Sequence, residues 1–240
     1  MATYVLVHGA WHTGEMLASV AQHIAAAGHQ VHTPTIAGNR PADPADTSLE
    51  TAIASIATFV EEQQLTDFIL VGHSFGGMVI TGVADRQPSG TIRRLVYWNA
   101  FVPNDGESLN DLVPGYFLQM FDEMALESGT VMMPFPIWRD ALCNDMSAPA
   151  AADTYARLVS QPYRTFTDKI ALSRPPAAFD MSKSYINFTE DTGMPHSMPW
   201  HPRLSEKLGL FRLVQASGGH EVCFSNPKQA AEAILLAGQD

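Results

Sequence analysis

The fold is decided by Leu70-Val71-Gly72-His73-Ser74-Phe75-Gly76-Gly77-Met78, a stretch that contains the pattern G-x-S-x-G. The apolar run 67–71 leads into it and is typical of a strand that is covered on both faces. Residues 78–84 have the composition of a helix that begins directly after the glycines. The sequence therefore predicts a sharp strand-to-helix turn with Ser74 at its tip.

Ser74 in such a turn has the position of a nucleophile. A nucleophile elbow holds its serine in a strained backbone conformation, and Gly72 and Gly76 leave space where a Cβ would collide with a neighbouring element. The helix that follows directs N–H groups toward the place where an oxyanion forms. A serine in an ordinary glycine-rich turn remains the alternative. This stretch matches neither G-x-G-x-x-G of a dinucleotide-binding turn nor G-K-[ST] of a phosphate loop.

Composition limits the class of protein. The chain has 240 residues, is 46% hydrophobic and carries a formal charge of −11. This length suits one well-buried core, so we expect a single domain over residues 1–240. The negative charge predicts no nucleic-acid partner and no membrane partner, and favours a small molecule. Without a leader or a run of ~20 apolar residues, we expect a cytoplasmic protein. A homodimer stays open.

The order of apolar and amphipathic segments predicts an α/β fold. Strand-like runs occur at 4–8, 31–33, 68–71, 95–99, 184–188 and 211–215. Helical patterns occur at 16–27, 49–64, 78–86, 202–208 and 227–237. This alternation predicts a mostly parallel sheet of about six strands with helices on both faces.

The alternation breaks between approximately residues 103 and 182, where prolines, methionines and aromatic residues accumulate. An insertion of this length between two core strands predicts a cap over the carboxyl edge of the sheet. Flexible methionines and flat aromatic rings would give it an adaptable apolar pocket roof. Ordinary core helices with apolar faces are the alternative.

A serine nucleophile needs a histidine base that is oriented by a carboxylate. The expected chain order is serine, acid and histidine, each after a core strand. His220 follows the last predicted strand, in Ser217-Gly218-Gly219-His220, and fits the base. Asp191 follows the strand before it and is the favoured acid. The alternatives are its neighbour Glu190 and, after an earlier strand, Asp105 and Glu107.

The loop after the first strand would complete an oxyanion hole. Gly9 allows a close approach, and the backbone N–H groups of Ala10 and Phe75 would converge on the developing oxyanion. Trp11 and His12 border the pocket or pack locally.

The sequence offers little for a metal or another cofactor. His8 and His12 have i, i+4 spacing but lie across a glycine-containing loop without a third ligand nearby. The two cysteines, Cys143 and Cys223, form no Cys-x-x-Cys pair. We therefore expect free thiols, no metal and no cofactor.

Four stretches, at 5–10, 69–78, 185–195 and 217–220, resemble the α/β-hydrolase superfamily. The resemblance is to the branch that contains plant methylesterases, salicylate-ester hydrolases and hydroxynitrile lyases, with bacterial esterase relatives. It covers almost the full chain and implies that Asp191 is the acid of a catalytic triad and that Phe101 lines the acyl pocket. We expect Gly9, Trp11 and His73 to contact the substrate as well. The cap matches poorly, so no substrate is carried over.

Two residues differ from the plant lyases of this branch and bear on the expected reaction. The plant lyases that resemble this chain have a threonine in the first oxyanion loop and a lysine after the catalytic histidine, where this sequence has Gly9 and Glu221. Acyl hydrolysis through an acyl-enzyme is therefore favoured, with an ester, a carbamate or an activated amide as substrate. Glu221 is expected to be a solvated loop carboxylate. Lyase or cofactor-free oxygenase chemistry, and a small-molecule receptor on the same scaffold, are the rival hypotheses.

Overall fold

A computed structural model describes residues 1–239, whose core is a six-stranded sheet. Every neighbouring pair of strands is parallel, in the order β2-β1-β3-β4-β7-β8. Two further strands, β5 and β6, form a separate antiparallel pair. The predicted fold class and the number of core strands are confirmed. The strands are β1 Thr3–Val7, β2 Gln30–His32, β3 Phe68–His73, β4 Ile92–Trp98, β5 Thr130–Val131, β6 Gln161–Pro162, β7 Ser182–Phe188 and β8 Arg212–Ala216.

Helices cover both faces of the sheet. The α-helices are α1 Ala18–Ala26, α2 Leu49–Glu62, α3 Gly76–Arg86, α4 Gly115–Ser128, α5 Phe135–Ile137, α6 Ala148–Tyr155, α7 Arg164–Thr167, α8 Val222–Ser225 and α9 Pro227–Ala237. Helices α1 and α9 pack on one face, and α2 and α3 pack on the other with the segment that follows β4. Successive strand residues therefore enter opposite apolar layers, which is why β3 is buried along its whole length.

Capping side chains fix two of the helix starts. Ser48 Oγ accepts a hydrogen bond from the Thr51 amide at 3.0 Å at the start of α2. Asn226 Oδ1 accepts from the Gln229 amide at 3.2 Å, and Pro227 occupies the first turn of α9. These bonds satisfy amides that have no partner inside the helix.

The predicted helix at 202–208 is wrong. The chain turns at 201–204 and forms only a short 3-10 helix, Ser205–Leu208. The Ser205 hydroxyl donates to the Pro202 carbonyl at 3.2 Å, and the Arg203 guanidinium donates to the Leu112 carbonyl at 3.0 Å. Gly209, at φ 68°, ends the segment. The predicted helix at 16–27 begins as a 3-10 turn, Gly14–Leu17, before α1.

The segment predicted as a cap, approximately 103–182, contains α4 to α7 and the β5–β6 pair. The loop after β1 is tied to it. Trp11 Nε1 donates to the Val131 carbonyl at 3.0 Å, and the Trp11 amide donates to Gln161 Oε1 at 3.1 Å. The strand-end loop and the inserted segment therefore hold each other in place. Within residues 1–239, none of the helices combines the length and the hydropathy of a bilayer-spanning segment.

Candidate active site

Ser74 lies at the tip of the turn between β3 and α3 and has a φ of 52°. A Cβ added to Gly72 would lie 2.7 Å from the Gly76 carbonyl oxygen, and one added to Gly76 would lie 2.6 Å from the Val7 carbonyl oxygen. Such contacts are too short, so both positions require glycine. The turn predicted from G-x-S-x-G has the expected strained geometry.

Ser74, His220 and Asp191 form a continuous hydrogen-bonded series. His220 Nε2 lies 3.0 Å from Ser74 Oγ, and His220 Nδ1 lies 2.6 Å from Asp191 Oδ2. The carboxylate can only accept, so Nδ1–H donates to it and Nε2 is left to accept the serine proton. The side chains of His220 and Asp191 are only 4% and 1% exposed. This arrangement can deprotonate a serine hydroxyl and hold the resulting imidazolium.

The surroundings of His220 favour its protonated form. Burial by itself lowers the pKa of this imidazole, but the negative charge and hydrogen bond of Asp191, with a further contribution from Glu221, raise the pKa above its usual value. A raised pKa strengthens the imidazole as a base toward the serine.

Asp191 is itself oriented by two donors. Asn99 Nδ2 donates to Asp191 Oδ2 at 2.6 Å, and the Gly193 amide donates to Asp191 Oδ1 at 2.7 Å. Asn99 is fully buried at the end of β4, has a φ of 36°, and its Oδ1 accepts from the Phe188 amide at 2.7 Å. Sequence reasoning missed Asn99. The signal that could have found it is a polar residue at the carboxyl end of an otherwise apolar strand.

The alternative acids have other partners. The Ser217 hydroxyl donates to the Glu190 carboxylate. Asp105 Oδ1 accepts from the Leu172 amide at 2.8 Å, and Glu107 pairs with Lys207 at 2.6 Å. Of the four carboxylates weighed from the sequence, the structure brings Asp191 to the histidine.

The two residues predicted to supply oxyanion-hole amides lie at the same cavity as Ser74. Ala10 and Phe75 both line it, and neither amide has a hydrogen-bond partner among the described residues. A Cβ at Gly9 would lie 3.0 Å from His73 Nδ1 and 3.2 Å from Ser74 Cβ, so a larger residue would push the loop away from the serine. Two unpaired donors beside a nucleophile can stabilise a developing oxyanion.

The cavity in front of Ser74 is almost entirely apolar. Trp11 and Phe101 are among its lining residues. Its charged or strongly polar side chains, among the described residues, are those of Ser74 and His220. A cavity with such a lining suits a small uncharged molecule. The remaining lining residues are Ala10, Phe75, Leu109, Val113, Phe117, Phe121, Met133, Leu142, Phe166, Gly193, Met194 and Trp200.

Two residues predicted to contact the substrate, Gly9 and His73, are not among those that line the cavity. Gly9 acts through its lack of a side chain, as described above. His73 is 1% exposed and lies behind His220, whose carbonyl oxygen is 3.1 Å from His73 Nε2. Burial lowers the pKa of His73 to about 3, so its ring is neutral and Nε2–H donates to that carbonyl. His73 therefore supports the loop that carries His220.

Trp200 is a lining residue that sequence reasoning missed. Its ring stacks on the His220 imidazole at 5.2 Å with an interplanar angle of 16° and packs edge-on against Phe101 at 4.9 Å. It follows Asp191 by nine residues in a loop rich in proline, so no periodic pattern marks it. Trp200 restricts the ring orientation of His220 from the cavity side.

The expectation of a solvated Glu221 is wrong. Glu221 is only 1% exposed, and its Oε2 lies 3.1 Å from His12 Nε2. Burial raises the pKa of the Glu221 carboxyl, but His12, with smaller contributions from His73 and His220, outweighs burial and lowers the pKa to about 2. The physical reason is that a residue 209 positions away in the chain supplies its partner.

Side chains that could ligate a metal also meet behind His220, in the groups His12–Glu221–Cys223 and His73–His220–Glu221. Both nitrogens of His12 and Glu221 Oε2 already have hydrogen-bond partners, so we assign none of them as metal ligands. Burial raises the pKa of both cysteine thiols, which keeps them neutral.

A parallel sheet whose strand ends bring a serine, a histidine and a carboxylate together defines a hydrolase-type enzyme. The comparison with known families agrees. The model of the Alpha/beta hydrolase family matches residues 4–233, and the chain belongs to that family.

Individual relatives extend over the whole chain. The carbendazim hydrolyzing esterase of Nocardioides sp. (strain SG-4G) is 34% identical over 250 residues, covering 99% of this chain and 100% of that protein. A solved extracellular alpha/beta-hydrolase from a Paenibacillus species is 35% identical, with a TM-score of 0.95 and full coverage of both chains. It is described as sharing structural and functional homology with tobacco salicylic acid binding protein 2.

A solved methylesterase from Arabidopsis is 20% identical, with a TM-score of 0.80 over 99% of this chain and 98% of its own, and supports the fold alone. The predicted resemblance to this superfamily is confirmed.

Proposed function

We propose that this protein is a serine hydrolase that cleaves the ester-type bond, in an ester or a carbamate, of a small and largely apolar or aromatic substrate. The observation that carries the proposal is the series Ser74–His220–Asp191, which opens onto an apolar cavity. The esterase and hydrolase names of its relatives support the same class of reaction.

The proposed mechanism has two halves. Ser74 Oγ attacks the carbonyl carbon while His220 Nε2 accepts the hydroxyl proton, and the amides of Ala10 and Phe75 hold the oxyanion. The imidazolium then gives its proton to the leaving oxygen, and the acyl group stays on Ser74. Water loses a proton to His220 as it attacks the acyl carbon, and Ser74 regains its proton when the acid leaves. Asp191 stays ionised and orients the imidazole throughout.

The lining of the cavity supports an uncharged substrate. Burying a carboxylate or an ammonium group there would cost several kcal/mol of desolvation, since the described lining offers no charged partner apart from His220. The aromatic residues Trp11, Phe121 and Phe166 line the cavity and can instead offer contacts to a flat ring. We therefore expect neutral aryl or alkyl esters to be cleaved at least about 100-fold faster, in kcat/KM, than analogues with a carboxylate on the acyl group.

The experiment measures p-nitrophenyl esters and a p-nitrophenyl N-alkylcarbamate with the wild type and with Ser74→Ala. The variant is expected to lose at least about 1000-fold of kcat. Ser89→Ala is the matched control, because Ser89 is exposed on the segment between α3 and β4 and its hydroxyl donates to the surface residue Asp180. Full ester turnover by Ser74→Ala would contradict the proposal.

The rival hypotheses give different results in the same experiment. A lyase or oxygenase that uses His220 only to move a proton would turn over its substrate without an acyl-enzyme. A receptor on this scaffold would be stabilised by ligands without turnover. Ester cleavage that depends on Ser74 favours the hydrolase over both.

A further inference from the structure

Behind His220, on the side away from the cavity, lies a group of buried polar side chains that the proposed mechanism does not use. We call His12, His73 and Glu221 the rear cluster. Each of the three is 1% exposed. Buried polar groups of this kind are costly unless they are paired, so their hydrogen bonds define their protonation states.

The hydrogen bonds of His12 require one extra proton. Its Nδ1 lies 2.6 Å from the Ala10 carbonyl oxygen, which can only accept, so Nδ1 must carry a proton. Its Nε2 lies 3.1 Å from Glu221 Oε2. A neutral imidazole has only one N–H, so a neutral His12 would place a lone pair against a carboxylate. Either His12 is an imidazolium and Glu221 a carboxylate, or His12 is neutral and Glu221 carries the proton.

The surroundings favour the charged pair. The His12 ring stacks on Phe224 at 5.5 Å with an interplanar angle of 16° and lies 5.8 Å from the Trp138 ring, and aromatic faces stabilise a cation. Glu221 Oε2 also accepts from Cys223 Sγ at 3.5 Å. The titratable groups that face Glu221 from the other elements are His12 after β1, His73 on β3, His220, Cys143 in the inserted segment and Cys223 on α8. The carboxylate thus faces three histidines and two neutral thiols.

The pair contacts two parts of the proposed active site. One side-chain nitrogen or oxygen atom of each of Glu221, His73 and His220 lies within 4.8 Å of the other two, so the Glu221 carboxylate is a second negative charge beside the imidazole of His220. His12 holds the carbonyl of Ala10, a residue that lines the cavity and whose amide we propose as an oxyanion donor. Glu221 also donates its amide to the Leu142 carbonyl at 3.2 Å, which ties this loop to the inserted segment.

We propose that His12 and Glu221 form a buried ion pair that positions the active site, with Glu221 stabilising the His220 imidazolium and His12 fixing the Ala10 loop. Both are positioning residues, because neither lines the cavity. Their effect on catalysis rests on the proposed hydrolase function, whereas the charge state of the pair does not.

The charge state of the His12–Glu221 pair is tested first, by a measurement that does not depend on catalytic activity. Nitrogen-15 NMR of the histidine side chains is recorded from pH 6 to 8 on Ser74→Ala, where turnover cannot interfere. The proposal predicts protons on both nitrogens of His12. In Glu221→Gln, the amide can donate to Nε2, so His12 is expected to be neutral with its proton on Nδ1. A neutral His12 in the Ser74→Ala protein would overturn the proposal even if the hydrolase function holds.

The effect on His220 is tested by the pH dependence of kcat/KM in otherwise wild-type enzyme. Glu221→Gln removes a negative charge but keeps the size and shape of the side chain. The acidic limb of the profile follows the deprotonation of His220, so it should move about one pH unit lower. The same loss of imidazolium stabilisation lowers kcat about tenfold. Glu221→Asp keeps the negative charge, so the shift of the acidic limb and the loss of kcat should both be smaller than in Glu221→Gln. Glu190→Gln is the matched control, because its exposed carboxylate is screened by water and should leave the limb in place.

An unchanged acidic limb in Glu221→Gln, or a shift to higher pH, would overturn the role in catalysis. If Glu221→Gln does not fold, the spectrum of the Ser74→Ala protein decides on the ion pair by itself. Absence of ester turnover in the wild type, with His12 doubly protonated in the spectrum, would instead count against the hydrolase function and leave the ion pair in place.

Discussion

The two sides of His220 differ in almost every physical property. On the cavity side the imidazole meets Ser74, the ring of Trp200 and an apolar lining. On the other side it meets Asp191 and the rear cluster, which is buried and polar. The apolar side can exclude water and strengthen every electrostatic interaction at the reacting atoms. The polar side supplies the negative charge that an imidazolium in such a place requires.

The contrast gives a physical reason for a buried acid directly after the histidine that we propose as the base. An imidazolium that forms beside an apolar cavity loses hydration, and the lost hydration must be replaced by fixed partners. Asp191 is the direct partner, and Glu221 adds a second charge at longer range. The apolar side of His220 is thus suited to binding a substrate, and the polar side is suited to stabilising charge on the imidazole. The following variants and conditions each change one side.

The largest effect is expected from Asp191→Asn. An asparagine amide would face Asn99 Nδ2 and would favour the wrong tautomer of His220, so kcat should fall by about 1000- to 10,000-fold. The measurement is steady-state ester hydrolysis with a folded variant, checked by circular dichroism. Glu190→Gln should keep nearly full activity, and a comparable loss in that control would show that the acid has been misassigned.

Lowering the pH should reduce the free energy of unfolding, because the protein contains buried histidines that are neutral when it is folded. Burial lowers the pKa of His73 and of His8 to about 3 in the folded state, while both take up protons below about pH 6.5 when unfolded. The unfolded state therefore binds more protons, and stability falls by roughly 1.4 kcal/mol per pH unit for each histidine between about pH 6.5 and 3.

Other groups act outside most of that window. Glu221 loses its contribution only as the pH falls from about 4.5 to about 2, and His220, with a raised pKa, loses its contribution as the pH rises. Urea unfolding at pH 6.5, 5.5 and 4.5 measures the slope. His23→Gln, on the surface of α1, should leave the slope unchanged, and a flat stability over this range would contradict neutral buried histidines.

A smaller loss is expected from Asn99→Gly, which permits the positive φ but removes the donor to Asp191. The carboxylate would lose one of its two oriented donors, so kcat should fall by about 10- to 100-fold with little change in KM. The unfolding free energy should also fall, because the Phe188 amide loses its acceptor. An unchanged kcat would mean that Gly193 alone orients the acid.

The smallest effect is expected on the cavity side. Phe121→Ala enlarges the lining next to Trp11 and Phe166, so the preference between a bulky and a short acyl ester should shift by about tenfold in kcat/KM toward the bulky one. Tyr116→Ala is the matched control, because that ring lies on the same helix and is 59% exposed. Equal shifts in the two variants would mean that the cavity does not select the acyl group.

The sequence predicted the parts of this molecule that depend on local pattern. The glycines around Ser74 mark a sharp turn after one predicted strand, and the acid and the histidine follow later strands in the expected chain order. All three residues are therefore expected at one edge of the sheet, because parallel strands end on the same side. The carboxylate Asp191 was favoured over its neighbour, and it is Asp191 that meets His220.

The parts that the sequence did not predict depend on distant contacts. Glu221 was expected in water because its partner His12 is remote in the chain, and His73 was expected at the substrate because nothing local shows which way a residue at a strand end points. Asn99 and Trp200 lie in segments without a periodic signal, so their roles follow only from tertiary packing.

The most direct test of the central claim is the site of the covalent intermediate. The enzyme is mixed rapidly with a p-nitrophenyl ester, quenched in acid and digested, and the peptides are analysed by mass spectrometry. The proposed mechanism predicts that the acyl group is found on Ser74 in the wild type and is absent from Ser74→Ala. Rapid ester turnover with the acyl group on another residue would contradict it.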